Sequence, residues 1–130
     1  MYAKPNSVGF LRANKLPLRA HEMVYVFQNK HTSGKTYNPQ KTAGTPYVHN
    51  GSASAGVGVY EGHTKVNKHS NVSGDRFPTS VLQGFGLDRD KLHKTQKPVG
   101  LCEWLVRTYT NPGDMVLDFC MGSGPVIKAC

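Results

Sequence analysis

Several things are scarce in this sequence, and each shortage excludes something. Cysteine occurs three times in 130 residues, at Cys102, Cys120 and Cys130, with no C-x-x-C spacing. An odd, widely spaced set excludes a disulfide framework and gives no zinc pattern. Cys102 and Cys120 sit in apolar runs and read as small core residues. No apolar run approaches the ~18 residues of a membrane-spanning helix, and no leader-like segment opens the chain. A soluble, cytoplasmic protein without a membrane partner is the expectation. Hydrophobic residues make up only 38%, with one Trp, so one domain with a modest core is expected. Acidic residues are also few, 8 against 16 Lys+Arg. Residues 1–97 hold 14 basic and 5 acidic residues, a net of +9, whereas residues 98–130 hold 2 and 3, a net of −1. The first part suits a polyanion such as nucleic acid, and a basic surface without a partner is the plain alternative.

Gly and Pro are abundant instead, at 14 and 8. Residues 1–20 are basic and polar. Pro5 and Pro17 oppose a continuous helix, so an irregular segment is expected, with a short turn around Phe10-Leu11. The run Glu22-Met-Val-Tyr-Val-Phe-Gln28 is apolar, β-branched and aromatic, and predicts a buried strand over 23–27. His21 at its start suits a hydrogen bond at the strand end better than a metal, for which the spacing supplies no partners. Residues 29–92 lack helical periodicity and are punctuated by turn signals such as Asn38-Pro39, Asn50-Gly51 and Ser73-Gly74-Asp75. Gly56-Val57-Gly58 lacks the strand, helix and third glycine of a nucleotide fingerprint. So long a structureless stretch belongs to a binding loop or to disorder. Its Lys and Arg residues alternate with Tyr and Phe, which suits phosphates and unpaired bases, or equally a solvated loop with anchoring aromatics. Within it, a short strand fits around Ser80–Leu82.

From Lys97 onward the pattern sharpens. Pro98 suits the first turn of a helix, and Pro98, Leu101, Cys102, Leu105, Val106 and Tyr109 form one apolar face. Glu103 and Arg107 are spaced for an i,i+4 pair. Asn111-Pro112-Gly113-Asp114 ends the helix, and Met115–Phe119 reads as a buried parallel strand. Gly122-Ser123-Gly124 follows, then Pro125 opening a second helix through Lys128. This is a helix–strand–loop–helix piece of an α/β layer. In such sheets ligands bind beyond the strand's carboxyl end, where glycines admit close approach and Asp118 can accept hydrogen bonds. A nucleoside-type cofactor fits the pattern, and a structural turn with a solvated Asp118 is the alternative.

His93-Lys94-Thr95-Gln96-Lys97-Pro98, followed by Asp118-Phe119-Cys120-Met121-Gly122-Ser123-Gly124, resembles the cofactor half of bacterial and phage DNA methyltransferases, enzymes of restriction-modification type that methylate adenine N6 or cytosine N4. Arg19-Ala20-His21-Glu22, Tyr37-Asn38-Pro39 and Arg76-Phe77-Pro78-Thr79-Ser80-Val81-Leu82 agree with it. The resemblance implies a partial Rossmann-like, S-adenosylmethionine-dependent methyltransferase fold of α/β class with a long irregular DNA-recognition insertion. It divides the chain into a core segment (1–28), a target-recognition region (29–92) and a cofactor segment (93–130). It implies cofactor contacts from Lys94, Thr95, Lys97, Asp118, Phe119, Gly122, Ser123 and Gly124, with Lys94, Thr95 and Lys97 toward the methionine carboxylate. Double-stranded DNA is the implied partner, met by Arg12, Lys15, Arg19, Lys30, Lys35, Lys65, Lys68 and Arg76.

The departures are specific. The family's catalytic motif is Asp/Asn/Ser-Pro-Pro-aromatic, and this sequence contains no Pro-Pro dipeptide. Position 125 is Pro where relatives carry Thr or Ser. The resemblance therefore implies a slice of a methyltransferase lacking both ends, with no catalytic residue of its own and inactive alone. A non-catalytic basic DNA-binding module and one half of a split enzyme are the alternatives. Marginal stability, or stability only as an oligomer or with a complementary subunit, is expected.

Overall fold

A computed structural model describes residues 1–29, 34–50 and 68–130. It divides into two units, one formed by Met1–Gln40 with Pro78–Cys130 and the other by Lys41–Phe77.

The first unit is built on β1 (Tyr2–Val8), paired antiparallel with β2 (Arg19–Glu22) through Tyr2↔Glu22, Ala3↔His21 and Val8↔Arg19. The register breaks between Ala3 and Val8, the stretch that contains Pro5. A proline donates no ladder hydrogen bond and is tolerated in a strand at such an irregularity. Pro5 and the polar composition are why this segment reads as irregular from sequence. The short turn expected at Phe10-Leu11 is a 3-10 turn over Phe10–Arg12. On its other side β1 meets Leu82 in a parallel bridge, with Ala3 N–H donating to Leu82 O (2.9 Å) and Leu82 N–H to Met1 O (2.8 Å). Leu82 is where the sequence suggests a short strand.

Helix α1 (Val99–Tyr109) and helix α2 (Pro125–Ala129) pack against each other. Both are where the sequence places them. Pro125 is the first residue of α2 and is buried, and Gly124 before it takes the left-handed conformation at φ +74. Pro98 caps α1 from just outside it rather than forming its first turn. Leu101, Cys102 and Thr108 face inward, and Glu103–Arg107 form the expected pair at 2.6 Å. The apolar core of the described residues is small: Tyr2, Leu101 and Cys102. The Tyr2 ring meets the edge of Phe85 at 6.3 Å, and Phe85 lies where a side chain on Gly100 would touch it, at 3.7 Å.

The end of α1 is closed by Asn38. Its N–H donates to Thr108 O (2.8 Å), and its side-chain amide to Thr110 O (2.8 Å). These satisfy carbonyls that a helix end leaves open. Asn111-Pro112-Gly113-Asp114 then turns the chain, with Gly113 at φ +89, Asp114 N–H on Asn111 O (3.0 Å) and Asn111 N–H on the Asp114 carboxylate (2.7 Å).

Two strands expected from sequence are not strands. Residues 23–27 follow β2 without a ladder, and residues 115–119 run on from the turn without one. Phe27 is 89% exposed, Met115 96%, Leu117 83% and Phe119 88%. Apolar content signals a demand for burial, but a strand also needs a neighbour for its N–H and C=O groups. Neither run has one among the described residues. The described sheets are two-stranded and antiparallel, so the chain is a small mixed α/β structure.

In the second unit β3 (Tyr47–Asn50) pairs antiparallel with β4 (Lys68–Asn71), with His49 opposite His69. Asn71 organises the following turn: its Oδ1 accepts Gly74 N–H (2.8 Å) and its Nδ2 donates to Asp75 O (2.6 Å). Gly74, at φ +76 and buried, sits against the Gly44 carbonyl, where a side chain would clash. The Gly-Val-Gly at 56–58 lies outside the described residues.

Candidate functional site

The His93–Lys97 motif and the glycine loop, separated by helix α1 in sequence, meet in the first unit. Gln96 joins them. Its Oε1 accepts the Leu92 N–H (3.1 Å) and the Ser123 hydroxyl (2.9 Å), and its Nε2 donates to Asp88 Oδ2 (2.9 Å). The same Asp88 carboxylate accepts the Val99 N–H at the start of α1 (3.2 and 3.4 Å). Asp88 thus does for α1 what an N-cap side chain normally does, from eleven residues away. Upstream, His93 Nδ1 accepts the Thr95 N–H (3.2 Å) and lies 2.8 Å from Thr95 Oγ1. His93 O accepts the Gln96 N–H (3.1 Å). The motif is therefore a tight turn whose central amide is clamped on two sides.

Between the motif and the loop lies a cavity of about 450 Å³, walled by Thr95, Gln96, Lys97, Gly122, Ser123 and their neighbours, including the exposed thiol of Cys120. That is within the range of small-molecule sites, roughly 300–1,000 Å³. Gly122 is in the left-handed conformation, φ +53. Of the cofactor residues read from sequence, Thr95, Lys97, Gly122 and Ser123 line this cavity. Lys94 lines a different one, and Asp118, Phe119 and Gly124 are not among the walls. The Asp118 carboxylate is turned back on the loop, accepting the Cys120 N–H at 3.0 Å. Phe119 points away from cover, and Gly124 precedes α2. Burial, then the Asp118 and Asp88 carboxylates, push the Cys102 thiol up, which suits an inert core cysteine.

A second cavity of about 390 Å³, which shares Thr95, Gln96 and Lys97 with the first, is lined by residues of β1 and β2. Glu22 lies in it as a bridge, with Oε2 at 2.5 Å from Lys97 Nζ and Oε1 at 3.2 Å from Lys4 Nζ. The Lys97 contact foremost, together with Lys4, holds the Glu22 carboxyl below the usual glutamate range, against a smaller opposing effect of burial. Lys97 thus already carries a counter-ion. Gln96, Asp88 and Glu22 are not among the site residues read from the sequence. Gln96 stands inside the Thr-Gln-Lys-Pro motif, so a signal exists for it; the partners of Asp88 and Glu22 are set by the fold.

The basic residues read as DNA contacts are dispersed. Arg12 and Arg19 line one groove of about 570 Å³ with Phe10, Leu11 and Leu16. Lys15 and Lys35 are exposed. Arg76, in the second unit, uses its guanidinium on the Gly74, Asp75 and Thr45 carbonyls (2.6, 3.3 and 2.5 Å) and lies over the Tyr47 ring at 4.9 Å. Beside it Lys41 lies over Phe77 at 4.7 Å. Lys68 belongs to β4. Lys30 and Lys65 lie outside the described residues.

No described helix is long and apolar enough to cross a membrane. A protein-family model, N6_N4_Mtase, described as DNA methylase, matches residues 1–130. No solved structure matches the chain. With its whole length matched, the chain belongs to this family of N6-adenine/N4-cytosine DNA methyltransferases.

Proposed function

We propose that this DNA methylase family member binds S-adenosylmethionine in the cavity between the His93–Lys97 motif and the Cys120–Pro125 loop, as part of a Rossmann-like methyltransferase acting on adenine N6 or cytosine N4 of double-stranded DNA. The observation that carries the reading is the Ser123–Gln96 hydrogen bond, which closes the glycine loop on the polar motif around a cavity of ligand size. When bound, the cofactor supplies the methyl group. Thr95 offers a hydroxyl oxygen toward its polar end, Gly122 allows backbone approach, and the Gln96 clamp sets the distance between the two walls. Asp118 fixes the loop's entry rather than the ligand. Arg12 and Arg19, together in one groove, are the strongest pair of phosphate contacts on the first unit.

The sequence has no Pro-Pro dipeptide, so this chain offers no counterpart of the family's catalytic motif for the target amine. The chain by itself therefore binds cofactor without transferring methyl groups. A methyltransferase core completed by further polypeptide that carries that motif is favoured over a purely DNA-binding module by the exposed apolar runs at 23–27 and 115–119. Equilibrium dialysis with labelled S-adenosylmethionine, followed by addition of duplex DNA, tests both parts. Retained cofactor with no labelled DNA is the expected result. Absence of cofactor binding contradicts the first part, and labelled DNA contradicts the second.

A further inference from the structure

The cavity on the β1 side of the motif is not explained by a cofactor held on the glycine-loop side. Lys4, Lys91, Lys94 and Lys97 line it, drawn from β1, from the stretch before the motif and from the motif itself. The one acid in its wall is Glu22. Four lysines against one glutamate give the lining residues of this cavity, about 390 Å³ in volume, a net charge of three. Like charges gathered at this density repel unless an anion is present. Glu22 neutralises part of the set, one carboxylate oxygen on Lys4 and the other on Lys97. Lys91 and Lys94 have no ion pair among the described residues.

We infer that this cavity is a phosphate-binding site, in which Lys91 and Lys94 take the phosphate oxygens and Glu22 holds Lys4 and Lys97 in place beside them. Lysine binds phosphate as a mobile point charge and needs no fixed fork geometry, which suits a site with four separate stems. A phosphodiester carries one negative charge and a free phosphate ion between one and two near neutral pH, so the two lysines without an ion pair suffice for either. The phosphate is either a backbone phosphodiester of DNA or a free phosphate ion. The first source rests on the DNA reading proposed above, while binding of the free ion does not depend on it.

Titration of the protein with inorganic phosphate in a chloride buffer, followed by calorimetry, reads the site without DNA. Lys91→Ala/Lys94→Ala should bind phosphate about tenfold more weakly, with circular dichroism confirming an unchanged fold. Glu22→Gln removes the competing negative charge and should bind about threefold more tightly, a gain that misfolding does not produce. In a second arm, duplex DNA is titrated over a range of salt. If the site takes backbone phosphates, the double variant lowers the salt slope by about 0.9 for each phosphate it no longer neutralises. An unchanged slope with weakened inorganic phosphate binding assigns the site to the free ion. Phosphate and DNA binding both indifferent to the three substitutions would overturn the proposal. DNA binding absent from the wild type, with phosphate binding retained, counts against the DNA reading and leaves the site standing.

Discussion

Helix α1 and the run Met115–Phe119 are neighbours in sequence and both rich in apolar residues, yet only the helix finds its partners among the described residues. The helix closes its own hydrogen bonds. Its two ends are finished by single residues from elsewhere, Asp88 on the Val99 N–H and Asn38 on the Thr108 and Thr110 carbonyls. The run 115–119 has no such recourse, because a strand completes its hydrogen bonds only with another strand. It forms no ladder among the described residues, and Leu117 and Phe119 stand in the open, as do Tyr25 and Phe27, whose rings stack on each other at 6.2 Å. Apolar pattern announces what a segment needs; whether the need is met depends on what lies beside it.

That contrast can be broken or sharpened by substitution. The largest effect is expected at Leu101→Ala, on the buried face of α1, with about 2–5 kcal/mol lost in chemical denaturation. Asp88→Ala removes both the distant cap and the partner of the Gln96 amide, and should cost about 1–2 kcal/mol by the same assay. Glu22 contributes a smaller, pH-dependent share. Its folded-state affinity for protons is depressed, so its stabilisation is present above the ordinary value of 4.5 and is lost as pH falls through the lower folded value. Melting temperature should therefore fall more steeply below pH 4.5 in the wild type than in Glu22→Gln. With its side chain 36% exposed, the pair is partly screened and the difference is modest. Least of all, Leu117→Ala should change the stability of the chain by no more than about 0.5 kcal/mol. A loss as large as that of Leu101→Ala would show that 115–119 is buried in solution.

The same contrast explains what is legible in the sequence. Both helices, the Asn111–Asp114 turn and the Glu103–Arg107 pair can be read there because they depend on residues at most a few positions apart. Strand β1 is hidden by Pro5, and the two apolar runs pass for paired strands because apolarity does not reveal a neighbour. At the site, resemblance supplies Thr95, Gly122 and Ser123, which do face one cavity. It does not supply the Gln96–Asp88 and Lys97–Glu22 links. Those join residues 8 and 75 positions apart, and only folding reveals them. Asp118, which has the sequence position of a ligand's acceptor at a strand tip, serves instead as an internal acceptor for Cys120 N–H.

The central claim is that the cavity between the motif and the glycine loop holds S-adenosylmethionine. Cys120 lines that cavity and Cys130 does not, and both are exposed free thiols. Alkylation of the two can be followed separately by peptide mass spectrometry with and without saturating S-adenosylhomocysteine, the demethylated cofactor. A ligand seated there should slow modification of Cys120 by at least about tenfold, because it covers the thiol, and leave Cys130 unchanged. Equal rates at Cys120 with and without ligand would contradict the claim.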